Sequence, residues 1–335
     1  MKLAIVRQRF DASGSAERFV ARSLPALERA GFEATLIARE AEGWGARRML
    51  RVAPFHLGRL WEERSFAHAA RQAWLREGFD LVQSHEPIPG CHVYRPEGEV
   101  AAHKETFEHP RLRAVLCQSN RMRDEIRRAF RVAPEKLHVV YNGVDLARFH
   151  PKERERLRGA ARGDLGCRPR DTVLLLPGAA SSVAVDAFAA ANNDALWLVA
   201  VGAGASGQKE SRRMRFVDAR TDLRPLYAAA DCLLLPHSRE PFPDSVLEAL
   251  AMGLPAIVGS ASGAAEAIEP GVNGWLWEAN DAASLARLLS VADAAVRSGG
   301  MEAAARASAE RFGADATARQ LVALYAGFAS APAES

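Results

Sequence analysis

Short apolar runs alternate with longer amphipathic stretches along almost the whole chain. In the first half the runs fall at residues 3–7, 34–38, 80–84, 114–118 and 137–141. Each is too short for a helix and continuous enough for a strand covered on both faces. Helical spacing fills the gaps, for example at 16–30, where Pro25 is expected to introduce a kink, and at 60–76. The pattern restarts at 172–177, 195–201, 215–218, 231–236 and 256–258. Helices are expected near 223–230, 245–252, 282–296, 301–311 and 314–328. Strand–helix–strand alternation of this kind builds parallel sheets with right-handed crossovers, so the expectation is two doubly wound α/β domains facing across a cleft.

Between the two series lies a charged, glycine-containing stretch, 151–169, which reads as a linker. The first domain is then 1–150 and the second 151–313, with a last helix from about 314 to 335 attached to the first. Trp61, Phe66 and Trp74 form an aromatic stripe on the 60–76 helix, fitting either packing on the sheet or an interfacial membrane face.

Bulk properties narrow the class. The 335 residues, 48% hydrophobic and 25% charged, are those of a globular protein with room for two cores. No apolar stretch reaches the ~18 residues of a membrane span, and the amino terminus runs straight into strand-like sequence; a cytoplasmic location is expected. Cys91, Cys117, Cys167 and Cys232 lie far apart in no metal or redox spacing, and read as reduced and structural. Net charge is +6 over 1–150 and −3 over 151–335, a mild bias toward an anionic acceptor or acidic lipid near the first domain. No zinc spacing, recognition motif or basic block suggests a nucleic-acid partner.

The densest chemistry follows the apolar run at 231–236: Ser238-Arg-Glu-Pro-Phe-Pro-Asp-Ser-Val-Leu-Glu248, in which Glu240 and Glu248 stand with seven residues between them. One acid falls on a loop at a strand's carboxyl end and the other in the first turn of the next helix. That is where open α/β sheets hold ligands, with helix amides aimed at an anion. Ser245-x-x-Glu248 also fits a capping box, a purely structural use of the second acid.

This run resembles the Glu-x7-Glu signature of the retaining glycosyltransferases of family four, which have the GT-B fold. The likeness continues through Asp222-Leu-Arg-Pro-Leu-Tyr-Ala-Ala-Ala-Asp231, Gly253-Leu-Pro-Ala-Ile-Val, Ser262-Gly-Ala-Ala-Glu266, Gly271-Val-Asn-Gly274 and Tyr141-Asn-Gly-Val-Asp145. Ser84-His-Glu-Pro-Ile-Pro-Gly-Cys-His-Val-Tyr94 is most similar to the lipopolysaccharide core glucosyltransferases.

The resemblance implies a donor that is a nucleotide-diphosphate sugar, a UDP-sugar first, with no metal or other cofactor. The implied acceptor is a lipopolysaccharide core or related glycan, reached by peripheral contact with the inner face of the membrane. Glu240 would lie near the transferred sugar's hydroxyls and His85 would point at the same sugar. Glu248 would accept from the ribose hydroxyls. Backbone N–H groups of Phe242, Asp244 and Ser245 would meet the sugar or phosphates, and Gly14, Gly178 and Arg220 would complete the donor site. Asn142 is a turn residue that also suits the cleft.

Three departures stand beside this. Ser13-Gly14-Ser15 keeps one glycine of the family's Gly-Gly pair, and the aspartate expected soon after Tyr94 has no clear equivalent. Residues 177–186 lack the cations that clamp the leaving diphosphate, leaving the amides at Ser181-Ser182 and the side chains of Lys209, Arg212 and Arg213 as substitutes. A scaffold that binds a nucleotide, glycan or partner transferase without turnover is the competing expectation.

Overall fold

A computed structural model describes residues 1–12, 14–55, 58–98, 100, 103–178, 181–202, 213–218, 222–236, 241–278 and 281–330. The chain divides into two compact units, Met1–Gly143 with Ala314–Ser335, and Val144–Gly313.

The first unit contains strands β1 (Lys2–Val6), β2 (Arg9–Asp11), β3 (Glu33–Ala38), β4 (Glu40–Glu42), β5 (Met49–Arg51), β6 (Leu81–Ser84), β7 (Val93–Tyr94), β8 (Ala114–Cys117) and β9 (Leu137–Val139). Its helices are α1 (Ser15–Arg29), α2 (Arg59–Glu77), α3 (Lys104–Phe107) and α4 (Asn120–Ala129). Seven strands form one parallel sheet in the order β5-β3-β1-β6-β7-β8-β9, and β2 pairs with β4 beside it. Alternation along β1 serves two cores. Leu3 and Ile5 join Phe19, Leu24 and Leu27 of α1, while Ala4 and Val6 join Phe66, Trp74, Met122 and Ile126. α1 runs unbroken through Pro25.

The aromatic stripe divides in the same way. Phe66 and Trp74 are buried against the sheet, whereas Trp61 is 64% exposed, so the three do not share a membrane-facing surface. Among the described residues no helix is long and apolar enough to cross a membrane.

In the second unit come α5 (Pro151–Leu165), β10 (Thr172–Pro177), α6 (Ser182–Ala190), β11 (Leu196–Val201), β12 (Met214–Val217), α7 (Arg224–Ala229), β13 (Cys232–Leu235), α8 (Asp244–Ala251), β14 (Ala256–Gly259), β15 (Gly274–Trp277), α9 (Ala282–Ser298) and α10 (Glu302–Glu310). Six strands make a second parallel sheet in the order β12-β11-β10-β13-β14-β15. Leu174, Leu176, Leu198 and Ile257 pack beneath Ala184, Ala187, Leu285 and Leu289 of its helices.

The stretch expected to be a linker is α5. His150 caps it by accepting from the Lys152 amide at 3.1 Å, and Pro151 supplies a fixed φ at the first turn. Its inward face is arginine, not aliphatic, which is why hydrophobic periodicity does not reveal it. Arg158 and Arg162 reach Asp231 and the terminal carbonyls of α7, while Arg154 donates to Ala230 O. Guanidinium stems cover the interface while their heads close a helix C-terminus.

The last helix, α11 (Ala314–Ser330), belongs to the first unit and packs on α1. Gly143 permits this approach. Its φ is +73°, and a Cβ there would lie 2.9 Å from both the Ala314 Cα and the Thr317 Oγ1.

Candidate functional site

Strand order in the second sheet reverses between β10 and β13, and the crevice beyond their carboxyl ends is where doubly wound sheets hold ligands. β10 ends at Pro177 and turns on Gly178, exposed and at φ +97°, a conformation that L side chains rarely adopt. Glu240 lies outside the described residues, as does Arg220.

The chain then enters α8. Phe242 is fully buried against Phe312, with ring centroids 5.8 Å apart, and anchors the turn. Pro243 occupies the N-cap, so Asp244 and Ser245 supply first-turn amides. Asp244 is buried and Ser245 half-buried. Since Ser245 lies inside the helix, the capping box is not formed. Glu248, 7% exposed, instead accepts from the Tyr227 hydroxyl through Oε2 at 2.9 Å. Tyr227 is itself fixed edge-on by Phe149 at 6.1 Å. A buried carboxylate needs such donors, and this one aligns it one turn into α8, behind the sheet's switch point.

Arg213 is not a substitute for the diphosphate clamp. Its guanidinium bonds Asn193 O and pairs with Asp194 at 2.7 Å. Both precede β11, and Arg213 precedes β12, so the charge lies at the amino edge of the parallel sheet, opposite the ligand edge. Lys209 and Arg212 lie outside the described residues. Ser181 caps α6 by accepting from the Ala184 amide at 3.3 Å.

The first sheet has its own switch point, between β1 and β6. Beyond those two strands lie Arg7, His85 and Glu86. His85 is buried at 3% exposure, and both ring nitrogens are engaged. Nδ1 is 2.6 Å from Glu97 Oε1, and Nε2 is 2.7 Å from the Gln83 amide nitrogen. An amide NH2 only donates, so Nε2 is the acceptor and the proton sits on Nδ1, shared with Glu97.

Glu97 also accepts from Arg95, and from Gln118 at 3.1 Å. Arg95, wholly buried, donates onward to Asn142 Oδ1, and Asn142 donates to Ser15 Oγ at 3.2 Å. The Arg95 guanidinium lies 4.0 Å over the Phe19 ring. Burial pushes the His85 imidazole below its ordinary 6.5 despite the pull of Glu97. Burial would lift Glu97, but Arg95 and then His85 outweigh it and hold the carboxyl at about 2. The site therefore carries a neutral imidazole oriented by a permanent carboxylate.

Glu97 and Arg95 are the site residues that sequence reasoning missed. No aspartate stands shortly after Tyr94, but the fold turns Glu97, three positions on, toward His85. Gly14 precedes α1, and the space beside it holds the Glu17 carboxylate, 2.0 Å from where a Cβ would stand. Glu17 is in turn paired with Arg7 at 2.7 Å.

Two parallel α/β units, each with polar groups gathered beyond its switch point, define the GT-B class. Solved structures agree on the fold. WaaG, a glycosyltransferase involved in lipopolysaccharide biosynthesis, superposes with a TM-score of 0.83 at 18% identity, covering 96% of this chain and 99% of that one. A glycosyltransferase from Rickettsia africae gives 0.80 at 16% identity, covering 98% of each chain. HepE of Anabaena, crystallised with UDP-glucose, gives 0.74 at 19% identity, covering 98% of this chain and all of that one.

Two segments of the sequence are similar to glycosyltransferase families. Residues 172–291 match the model described as glycosyl transferases group 1, and residues 94–148 match glycosyltransferase family 4. A probable transglycosylase of Burkholderia thailandensis is 33% identical over 61% of this chain and 57% of its own length. D-inositol 3-phosphate glycosyltransferase of Streptomyces scabiei is 28% identical over 78% of this chain and 71% of its own. The chain spans from about two fifths to about seven tenths of the length of the curated relatives it matches.

Proposed function

We propose that this chain is a retaining glycosyltransferase that moves a hexosyl group from a UDP-sugar to a glycan acceptor of the lipopolysaccharide-core kind, working in the cytoplasm against the inner face of the membrane. The observation that carries the reading is Glu248: a buried carboxylate, aligned by Tyr227, one turn into the helix that opens beyond the second sheet's switch point.

A carboxylate held in one orientation suits the paired hydroxyls of a ribose. The amides of Asp244 and Ser245 and the turn at Gly178 suit phosphate oxygens. Glu240 supports the oxocarbenium-like centre electrostatically as the C1–O bond to the diphosphate breaks; the acceptor hydroxyl oxygen bonds to C1 on the face the nucleotide leaves, and its proton passes to the departing phosphate oxygen. His85, neutral and held by Glu97, offers a polar wall without a competing charge. HepE, whose crystals hold UDP-glucose, supports the choice of donor. WaaG, with its lipopolysaccharide role, supports the choice of acceptor.

A radiolabelled-sugar transfer assay tests the reaction. Glu240→Ala should abolish transfer while leaving UDP affinity within about twofold; an unaffected rate would remove Glu240 from the mechanism. One observation favours the second reading, a nucleotide- or glycan-binding scaffold without turnover. Residues 177–186 contain no cation, and Arg213 is committed at the opposite edge of the sheet. Loss of one group that meets developing charge typically costs ~10²–10³ in rate. Tight UDP binding with no transfer to any acceptor would select that reading.

A further inference from the structure

The hydrogen bonds around His85 do not stop at Gln83. Tyr325, in the middle of α11 and wholly buried, donates its hydroxyl hydrogen to Gln83 Oε1. Gln83 is 1% exposed, and its amide therefore has both ends committed, the oxygen to Tyr325 and the nitrogen to His85 Nε2. We propose that Tyr325 is a positioning residue for His85: by fixing the Gln83 amide it keeps a second proton off Nε2 and holds the imidazole neutral.

Division of labour follows from the two nitrogens. Glu97 secures the proton on Nδ1. For Nε2 to become N–H as well, Gln83 must turn its amide to present oxygen. Its NH2 would then face the Tyr325 oxygen, and the Tyr325 hydrogen would have to find another acceptor in a buried site. The remaining groups facing the ring oppose one another: Arg7 beyond β1 and Arg95 beyond β7 disfavour a cation, Glu97 favours one, and the Phe19 ring stands edge-on at 6.4 Å. The orientation of one amide is thus a deciding contact. It links α11 to the first sheet's switch point, with Tyr325 and Gln83 standing 242 positions apart in sequence.

The connection to sugar transfer rests on the reading given above; the protonation of His85 can be followed without any substrate. The full chain labelled with 15N-histidine is titrated by long-range 1H–15N correlation, with the His85 signals assigned by their loss in His85→Gln. In the unsubstituted protein His85 should keep a single Nδ1–H pattern well below pH 6.5. Tyr325→Phe, which removes one oxygen, should raise the His85 midpoint by about one pH unit, the equivalent of one net hydrogen bond.

A second comparison separates this relay from loosened packing. In a Gln83→Met background no amide is left to orient, so adding Tyr325→Phe should move the midpoint no further. An unchanged midpoint in Tyr325→Phe overturns the proposal, and so does an equal shift in the Gln83→Met background. If sugar transfer is never detected while the midpoint shifts as stated, the relay stands and the catalytic reading alone fails.

Discussion

Tyr227 and Glu248 meet 2.9 Å apart as hydroxyl donor and carboxylate acceptor, both buried within the second unit. The pair converts an acid that sequence alone leaves as a possible helix cap into one aimed by a neighbouring helix. Tyr227→Phe should lower stability by about 1–3 kcal/mol, since a buried carboxylate loses a donor. It should also weaken UDP binding about tenfold, equivalent to ~1.4 kcal/mol, because the carboxylate is no longer held in one orientation. Urea denaturation and calorimetry read the two effects separately.

Asp231 is the hub of α5. It pairs with Arg162 at 2.9 Å, bonds Arg158, and accepts from the Val173 amide at 2.9 Å. Asp231→Ala would leave these guanidiniums uncompensated in a largely buried site. A loss of about 3–5 kcal/mol is expected, visible as a large drop in the urea midpoint. A loss below about 1 kcal/mol would show that solvent already screens the cluster.

Much of the architecture was legible because buried parallel strands announce themselves: Thr172–Pro177 and Cys232–Leu235 are nearly uninterrupted aliphatic runs. β2, β4, β5 and β7 were not, being two or three residues long and including the wholly polar ends of Glu40–Glu42. Helix α5 was hidden by its arginines, although Arg154, Arg158 and Arg162 recur every four residues and Pro151 stands at its start. At the candidate site, Glu248 and His85 were singled out through their motifs, and the structure buries both. Glu97 was missed because its partner is twelve residues away with β7 between them, a distance that no local pattern encodes.

Acid should weaken the first unit in two stages. His85 titrates lower in the folded chain than its ordinary 6.5, so the unfolded state binds more protons and stability falls as pH drops below about 6.5. Glu97, shifted from 4.5 to about 2, contributes stability that is present above 4.5 and is lost as pH falls toward 2. Urea midpoints measured from pH 7.5 down to 5 should decline, and His85→Gln should make that decline shallower, the remainder belonging to His92, His103, His109 and His138, which burial also lowers.

The proposed chemistry uses backbone amides and side chains, without a metal, to meet the departing diphosphate. Transfer should therefore survive millimolar EDTA with less than about a twofold change in rate. A rate restored only by added Mg²⁺ or Mn²⁺ would place a cation where residues 177–186 lack one.

Calorimetric titration of the intact chain with UDP tests the central claim most directly. Micromolar binding, weakened at least about a hundredfold (~2.7 kcal/mol) by Glu248→Ala with the fold retained, is the predicted result. A well-folded protein that binds no UDP, or binds it equally well with and without the Glu248 carboxylate, would contradict the account.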